Sequence, residues 1–139
     1  MDNHTKEQRH YNMSRIRNKA TKPEETVRKF LFAKGFRYRK NDKRFAGRPD
    51  IVLPKYKTII FVNGCFWHMH DCPDFVLPKS NLDYWIPKLQ RNKARDTENV
   101  NTLKSLGWNV IIIWTCELST IQKREHRLSL LVEEIKQFY

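Results

Sequence analysis

The chain has 139 residues, 40% of them apolar, which leads us to expect one compact domain with a modest core and excludes a disordered tail. Lysine and arginine number 27 against 15 acidic residues, a formal charge of +12, so a polyanion is the natural partner, and nucleic acid comes first because neutralised phosphates release condensed counterions. No apolar run approaches the roughly 18 residues of a membrane span, and the first residues hold no apolar signal core, so a cytoplasmic protein off the membrane is expected, whose three cysteines stay reduced as metal ligands or buried thiols.

Residues 1–20 are polar and basic, with Arg9, His10, Arg15, Arg17 and Lys19 interrupted by Met13 and Ile16. They read as an arm that orders on a partner, and residues 21–139 as the domain proper. Thr21, Pro23 and Glu24 form a capping-box pattern opening a helix, with Val27, Phe30 and Leu31 on one face and Gly35 as its stop. Phe36 to Arg39 alternates and predicts a short strand. Asn41 to Arg48 reads as a polar loop. Asp50 to Leu53 and Thr58 to Val62 read as two strands of a hairpin around a turn at Pro54–Lys57.

Residues 63–80 read as a loop dense in Cys, His, Trp and Pro. Ser80 and Asp83 repeat the capping pattern and predict a long helix to about Leu106, stopped by Gly107. Trp108 to Trp114 is apolar throughout and predicts a central strand covered on both faces. A last helix from about Thr120 carries Leu128, Leu131, Val132 and Ile135 on one face. The order predicts a mixed α/β sheet with helices packed on it.

Two constellations carry chemistry. Cys65, His70 and Cys72 fall within eight residues, and Cys116 follows the last apolar run. Three thiolates and an imidazole suit a closed, tetrahedral, structural Zn²⁺ site. His68 is an alternative ligand, and three buried cysteines beside a surface histidine are the plainer account. His4, His10 and His126 read as solvated.

The second constellation suits phosphodiester hydrolysis, which needs a hard cation held by carboxylates and a group that activates water. Asp50 opens one strand, Val62 and Asn63 end its neighbour, and Glu24 stands in the first helical turn. His68 is the titratable base near them in sequence. Asp50 could equally be a turn carboxylate, Glu24 a plain capping residue, and His68 a zinc ligand.

Gly47-Arg48-Pro49-Asp50, Phe61-Val62-Asn63-Gly64-Cys65-Phe66-Trp67-His68 and Ile113-Trp114-Thr115-Cys116 resemble the very short patch repair (Vsr) DNA mismatch endonuclease family. Asn12-Met13, Thr21-Lys22-Pro23-Glu24, Tyr84-Trp85 and Arg95-Asp96 fall where that family has counterparts, so the resemblance spans nearly the whole chain. It implies a restriction-endonuclease-like fold with a PD-(D/E)xK-type core and a structural zinc. It also implies roles. Asp50 and the Val62 carbonyl would hold Mg²⁺, Glu24 would orient its water, His68 would be the general acid–base, and Asp96 would stand further out. Cys65, His70, Cys72 and Cys116 would hold Zn²⁺. The implied substrate is duplex DNA with a T:G mismatch, nicked 5′ to the thymine by a monomer, with further repair proteins as possible partners and the bacterial nucleoid as the place of action.

The chain departs from the family pattern in places. No (D/E)xK carboxylate and lysine follow Asp50, as in this family generally. Asn63 stands where some members have a histidine, and can orient water but not titrate. Met69 and Asp71 replace residues that can be histidine in relatives, which favours His70 as the zinc ligand.

A mismatch reader needs apolar wedges, because unstacking costs less where pairing is poor. Phe66, Trp67 and Trp85 are the candidates, with Met13 and Ile16 entering from the other groove. Trp108 and Trp114 read as core. Lys88, Arg91, Lys93 and Arg95 read as backbone contacts. Two alternatives compete with this reading: a restriction-like nuclease on other DNA, and a non-catalytic zinc-containing DNA-binding module.

Overall fold

The computed structural model describes residues 21–139. The arm at residues 1–20, with Met13 and Ile16, lies outside them, as does the Thr21 side chain. The described chain forms α1 (Thr21–Ala33), β1 (Arg39–Lys40), β2 (Ile51–Leu53), β3 (Thr58–Asn63), α2 (Leu82–Ser105), β4 (Asn109–Trp114) and α3 (Ile121–Phe138). Short 3₁₀ turns at Pro54–Tyr56 and Thr115–Leu118 follow β2 and β4.

The four strands make one sheet in the order β1-β2-β3-β4. β1–β2 and β2–β3 are antiparallel, with Ile51 opposite Ile60, and β3–β4 is parallel, with Val62 opposite Ile113. The hairpin of β2 and β3 is the expected one. The sheet is mixed α/β, and its faces are covered differently. Val27 and Leu31 of α1 and Leu128, Leu131 and Ile135 of α3 pack on one face, against Ile51, Leu53, Ile60, Val62, Ile111 and Ile113. Leu103 of α2, with Phe45, Ala46 and Trp108, covers the other over Val52, Ile59, Phe61 and Val110. The result is three layers around two apolar seams.

Four expectations are corrected. β4 is covered on both faces but pairs only with β3 among the described residues, so it is an edge strand rather than a central one. The strand expected at Phe36 begins at Arg39, because Phe36 is used to close α1. Its N–H donates to the Leu31 carbonyl at 3.0 Å, Gly35 at φ +91° donates to Phe32, and the Phe36 ring joins Leu31 in the core. That is a Schellman stop with its apolar contact. The same stop ends α2, where Trp108 donates to Leu103 at 3.2 Å across Gly107 at φ +91°. The cap expected at Ser80 is absent. α2 is entered through Asn81 at φ 59°, whose carbonyl accepts from both Tyr84 and Trp85, and no side chain caps it. Trp114 is the fourth, and belongs with the site below.

The carboxyl ends of β3 and β4 and the start of β2 meet at one edge of the sheet. There α1, the 64–81 loop and α2 from Tyr84 to Val100 converge.

Candidate functional site

A cleft of about 920 Å³ opens at that edge. Its floor is Asp50, Val62, Asn63 and Glu24, and one wall is Trp67, His68 and Tyr84. The other is the face of α2 that repeats every third or fourth residue, with Lys88, Arg91, Asn92, Arg95, Asp96 and Asn99. Lys93 points elsewhere and is exposed. The sequence therefore brings Asp50, Glu24, Asn63, His68, Asp96 and Lys88 to a single concavity from five separate segments.

Asp50 lies one residue before β2, and its Oδ2 accepts a hydrogen bond from the Val62 N–H at 2.6 Å. A strand residue presents its N–H and C=O to the same side, so the Val62 carbonyl faces the side from which Asp50 approaches. Burial pushes the Asp50 carboxyl up to about 7, the Val62 N–H works against that shift, and the neighbouring Glu24 adds to it while Arg28 opposes it. A carboxylate so placed lacks a full counter-charge.

The cap expected of Thr21 and Glu24 turns on groups outside the described residues, but the Glu24 side chain has another partner. Its Oε2 accepts from the Arg28 Nη2 at 3.0 Å, one helical turn on. Arg28 is itself buried, on the stripe that carries Val27 and Leu31. This residue was missed in the sequence, although its i,i+4 spacing from Glu24 beside a buried position was a usable signal.

His68 is half-buried in the loop after β3, and its Nδ1 is paired with the Asp96 Oδ2. Such a carboxylate fixes the ring tautomer, with the hydrogen on Nδ1. Asn63, buried at the end of β3, lies between His68 and Asp50 in sequence and lines the same floor.

Cys65, His70, Cys72 and Cys116 come together behind this wall, their ligand atoms all within 4.8 Å of one another. A tetrahedron of ~2.3 Å bonds has edges near 3.8 Å, so small movements suffice for one ion to bond all four. The His70 Nδ1 lies 3.5 Å from the Cys116 Sγ. Burial opposes ionisation of Cys65, but hydrogen bonds from Thr115, Cys116 and Cys72 outweigh it, and its thiol is lowered. Burial and the Cys65 thiolate push Cys116 up to about 12. Cys65 and Cys116 are thus pushed in opposite directions, and a cation among the four residues would favour the ionised form of both. His68 is turned to Asp96 and does not belong to the cluster.

Trp114, expected in the core, stacks flat on the His70 ring with centroids 4.0 Å apart and planes 6° apart. It also stands edge-on to His68, at 6.3 Å. Its place at the end of β4, two residues before Cys116, was the signal. Trp108 does pack in the second core cluster, edge-on to Phe45.

Phe66, Trp67 and Trp85 form one aromatic wall. Phe66 meets Trp67 at 5.2 Å and Trp85 at 5.5 Å, both nearly edge-on, and Trp67 meets Trp85 at 5.8 Å. The Lys88 ammonium lies 5.9 Å from the Trp67 ring centre and donates to the Tyr84 hydroxyl at 3.1 Å.

Comparison with known proteins gives a consistent picture. The family model described as DNA mismatch endonuclease Vsr matches residues 1–74. The chain is 52% identical over 132 residues to the type II nicking enzyme V.NmeAIP of Neisseria meningitidis serogroup A, covering 95% of this chain and 94% of that one. It is 47% identical over 122 residues to the type II nicking enzyme V.XorIIP of Xanthomonas oryzae pv. oryzae, covering 88% and 90%. It is 37% identical over 122 residues to the DNA mismatch endonuclease Vsr of Escherichia coli K12, covering 88% and 78%.

Proposed function

The chain belongs to the Vsr family of DNA mismatch endonucleases, and from that premise we propose that it nicks one strand of duplex DNA 5′ to the thymine of a T:G mismatch, with Mg²⁺ as the catalytic ion. The observation that carries this reading is the convergence of Asp50, Glu24 and the Asp96-paired His68 on one basic cleft beside an aromatic wall.

The donors fit two different ions. Asp50, the Val62 carbonyl and Glu24 offer oxygen alone, which suits a hard Mg²⁺. Burial and the neighbouring Glu24 raise the Asp50 carboxyl, and a cation held there would offset both. The cysteine and histidine cluster suits Zn²⁺, and with four protein ligands it would be structural. Mg²⁺ held by Asp50 and Val62 would supply positive charge at the scissile phosphate and lower the pKa of attacking water.

The chain's own residues account for the rest of the chemistry. His68 moves the proton at Nε2, and Asp96 holds the ring in the tautomer that allows it. Glu24 orients water over Asp50. Asn63 orients water from the floor without titrating. Lys88, Arg91 and Arg95 face the phosphates from α2. Phe66, Trp67 and Trp85 wedge into the weakened stack, and the 1–20 arm, with Met13 and Ile16, closes on the other groove. The catalytic core would be of the PD-(D/E)xK type without the usual lysine, carried by residues 21–139 acting as a monomer on bacterial nucleoid DNA in the cytoplasm.

A strand-resolved cleavage assay on matched and mismatched duplexes tests the reading. We expect a single nick 5′ to the mispaired thymine that requires Mg²⁺ and is absent from Asp50→Ala, which still binds DNA. Equal cutting of matched duplexes would favour a restriction-like enzyme. Binding that no divalent ion turns into cutting would leave only a recognition module.

A further inference from the structure

We propose that Arg28 is a resident counter-ion of the cleft, a positioning residue that holds Glu24 ready and keeps the acidic pair from loading a divalent cation until a substrate phosphate arrives. This rests on the reading of Asp50 and Glu24 as the cation site.

The guanidinium is placed for charge more than for cohesion. Arg28 is 8% exposed, among the few buried charged residues of the described chain. Its fork is only partly satisfied. Nη2 donates to the Glu24 Oε2 at 3.0 Å, while Nε is buried with no hydrogen-bond partner among the described residues. Arg127, the other buried arginine, differs in this respect. Its Nε and Nη1 reach Glu117 at 3.1 Å and Glu134 at 2.7 Å, and Nη2 reaches the Ile112 carbonyl. Arg127 ties α3 to β4. Arg28 instead reaches one side-chain partner among the described residues, and that partner faces Asp50 on the cleft floor.

The charge arithmetic follows. Glu24 and Asp50 together offer two negative charges, and Arg28 cancels one of them at contact distance. A divalent ion entering the cleft meets a permanent positive charge nearby and must share Glu24 with it. Inside a low-dielectric cleft such a charge weakens cation binding strongly. A scissile phosphate would restore the lost negative charge, so cation and DNA would bind the cleft cooperatively. The guanidinium also fixes the Glu24 rotamer, so that its carboxylate is already beside Asp50 when the ion arrives.

The test is Mn²⁺ binding to the DNA-free full chain near pH 8, followed by the loss of the free-ion electron paramagnetic resonance signal, with Asp50→Ala marking the cleft site. Arg28→Met should bind Mn²⁺ at that site roughly tenfold more tightly than the parent, because a neighbouring like charge has gone. Arg28→Gln is a second neutral variant, should the first fail to fold. Arg28→Lys keeps the charge without the fork, and should return to within about twofold of the parent's affinity. On mismatched duplex with saturating metal, Arg28→Met should lower kcat with little change in KM for DNA, since Glu24 is no longer held. Unchanged or weaker Mn²⁺ binding in both neutral variants would overturn the role of Arg28 while leaving the cation site intact. A parent that binds no Mn²⁺ lost in Asp50→Ala would overturn the cation site itself, and this inference with it.

Discussion

Asp50 is pulled two ways, by burial that favours its neutral form and by a Val62 N–H that favours its charge, and burial wins. The sign of the consequence is fixed. Its carboxyl stands at about 7 in the folded chain against an ordinary 3.8, so the folded state holds a proton that the unfolded state has released. The metal-free protein should therefore lose stability as pH rises from about 4 to about 7, and Asp50→Asn should remove that loss. Thermal melts without divalent ions check this: the variant should melt higher than the parent near pH 8 and alike near pH 4. For His68 the prediction concerns orientation. Asp96→Asn would remove the partner that selects its tautomer, and should cut kcat by about 10² or more, with DNA affinity nearly unchanged. A single-turnover rate beside a binding isotherm separates the two. Gly47 has a purely steric case. It sits at φ +79°, and a Cβ there would meet the Asn99 Nδ2 at 3.0 Å and the Phe61 ring at 3.2 Å. Gly47→Ala combines left-handed strain with that clash and should cost about 2–3 kcal/mol in urea unfolding.

Gly35 shows what the same backbone conformation costs alone, because its Cβ would meet nothing within 4 Å. Gly35→Ala, at the stop of α1, should cost only about 1 kcal/mol, less than Gly47→Ala in the same denaturant series. These stops explain which elements were legible in the sequence. Gly35 and Gly107 announce left-handed turns by composition, and both end helices as expected. The β2–β3 hairpin was readable from its apolar runs, and the start of α3 from Thr120, whose hydroxyl accepts from the Lys123 N–H at 3.1 Å. Phe36 misled because an aromatic after a glycine serves equally as a strand residue or as the apolar lid of a Schellman stop. The decision lies in Leu31, which only packing reveals. The edge position of β4 was unreadable for a related reason. Ile111 and Ile113 face one helical layer and Val110 the other, so the strand is as apolar as a central one while pairing on one side among the described residues. At the site, the sequence offered Asp50, His68 and the cysteines as candidates, each with a plainer account beside it, and the fold brings Asp50 and His68 to one cleft and the cysteines to one cluster. Arg28 and the Trp114–His70 stack depend on which helical face and which strand end meet, and that is set by the tertiary fold.

Across the whole molecule the two constellations are mechanically joined. The eight residues from Cys65 to Cys72 carry three members of the sulfur and imidazole cluster, and His68 lies among them. Few regular elements stabilise this segment. Its backbone bonds are turn bonds, such as His70 N–H to the Cys65 carbonyl at 2.9 Å, and its fourth tie is Cys116 across on the turn after β4. A metal in the cluster would hold the loop against β4, and through Trp114 it would fix the wall on which His68 stands. Removing a metal from the cluster should therefore slow cutting strongly while leaving Asp50, Glu24 and His68 chemically unchanged. A strong chelator should release about one equivalent of zinc per chain, change the fluorescence of Trp114 through loss of its flat contact with His70, and lower nicking by about 10² or more. Added Mg²⁺ alone should not restore the rate, whereas Zn²⁺ should. Cys116→Ser should reproduce the chelated state, and Asp50→Ala should keep its full zinc content, since Asp50 is not among the four clustered residues. Nicking that survives complete zinc removal at the parent rate would show that the loop holds His68 in place unaided.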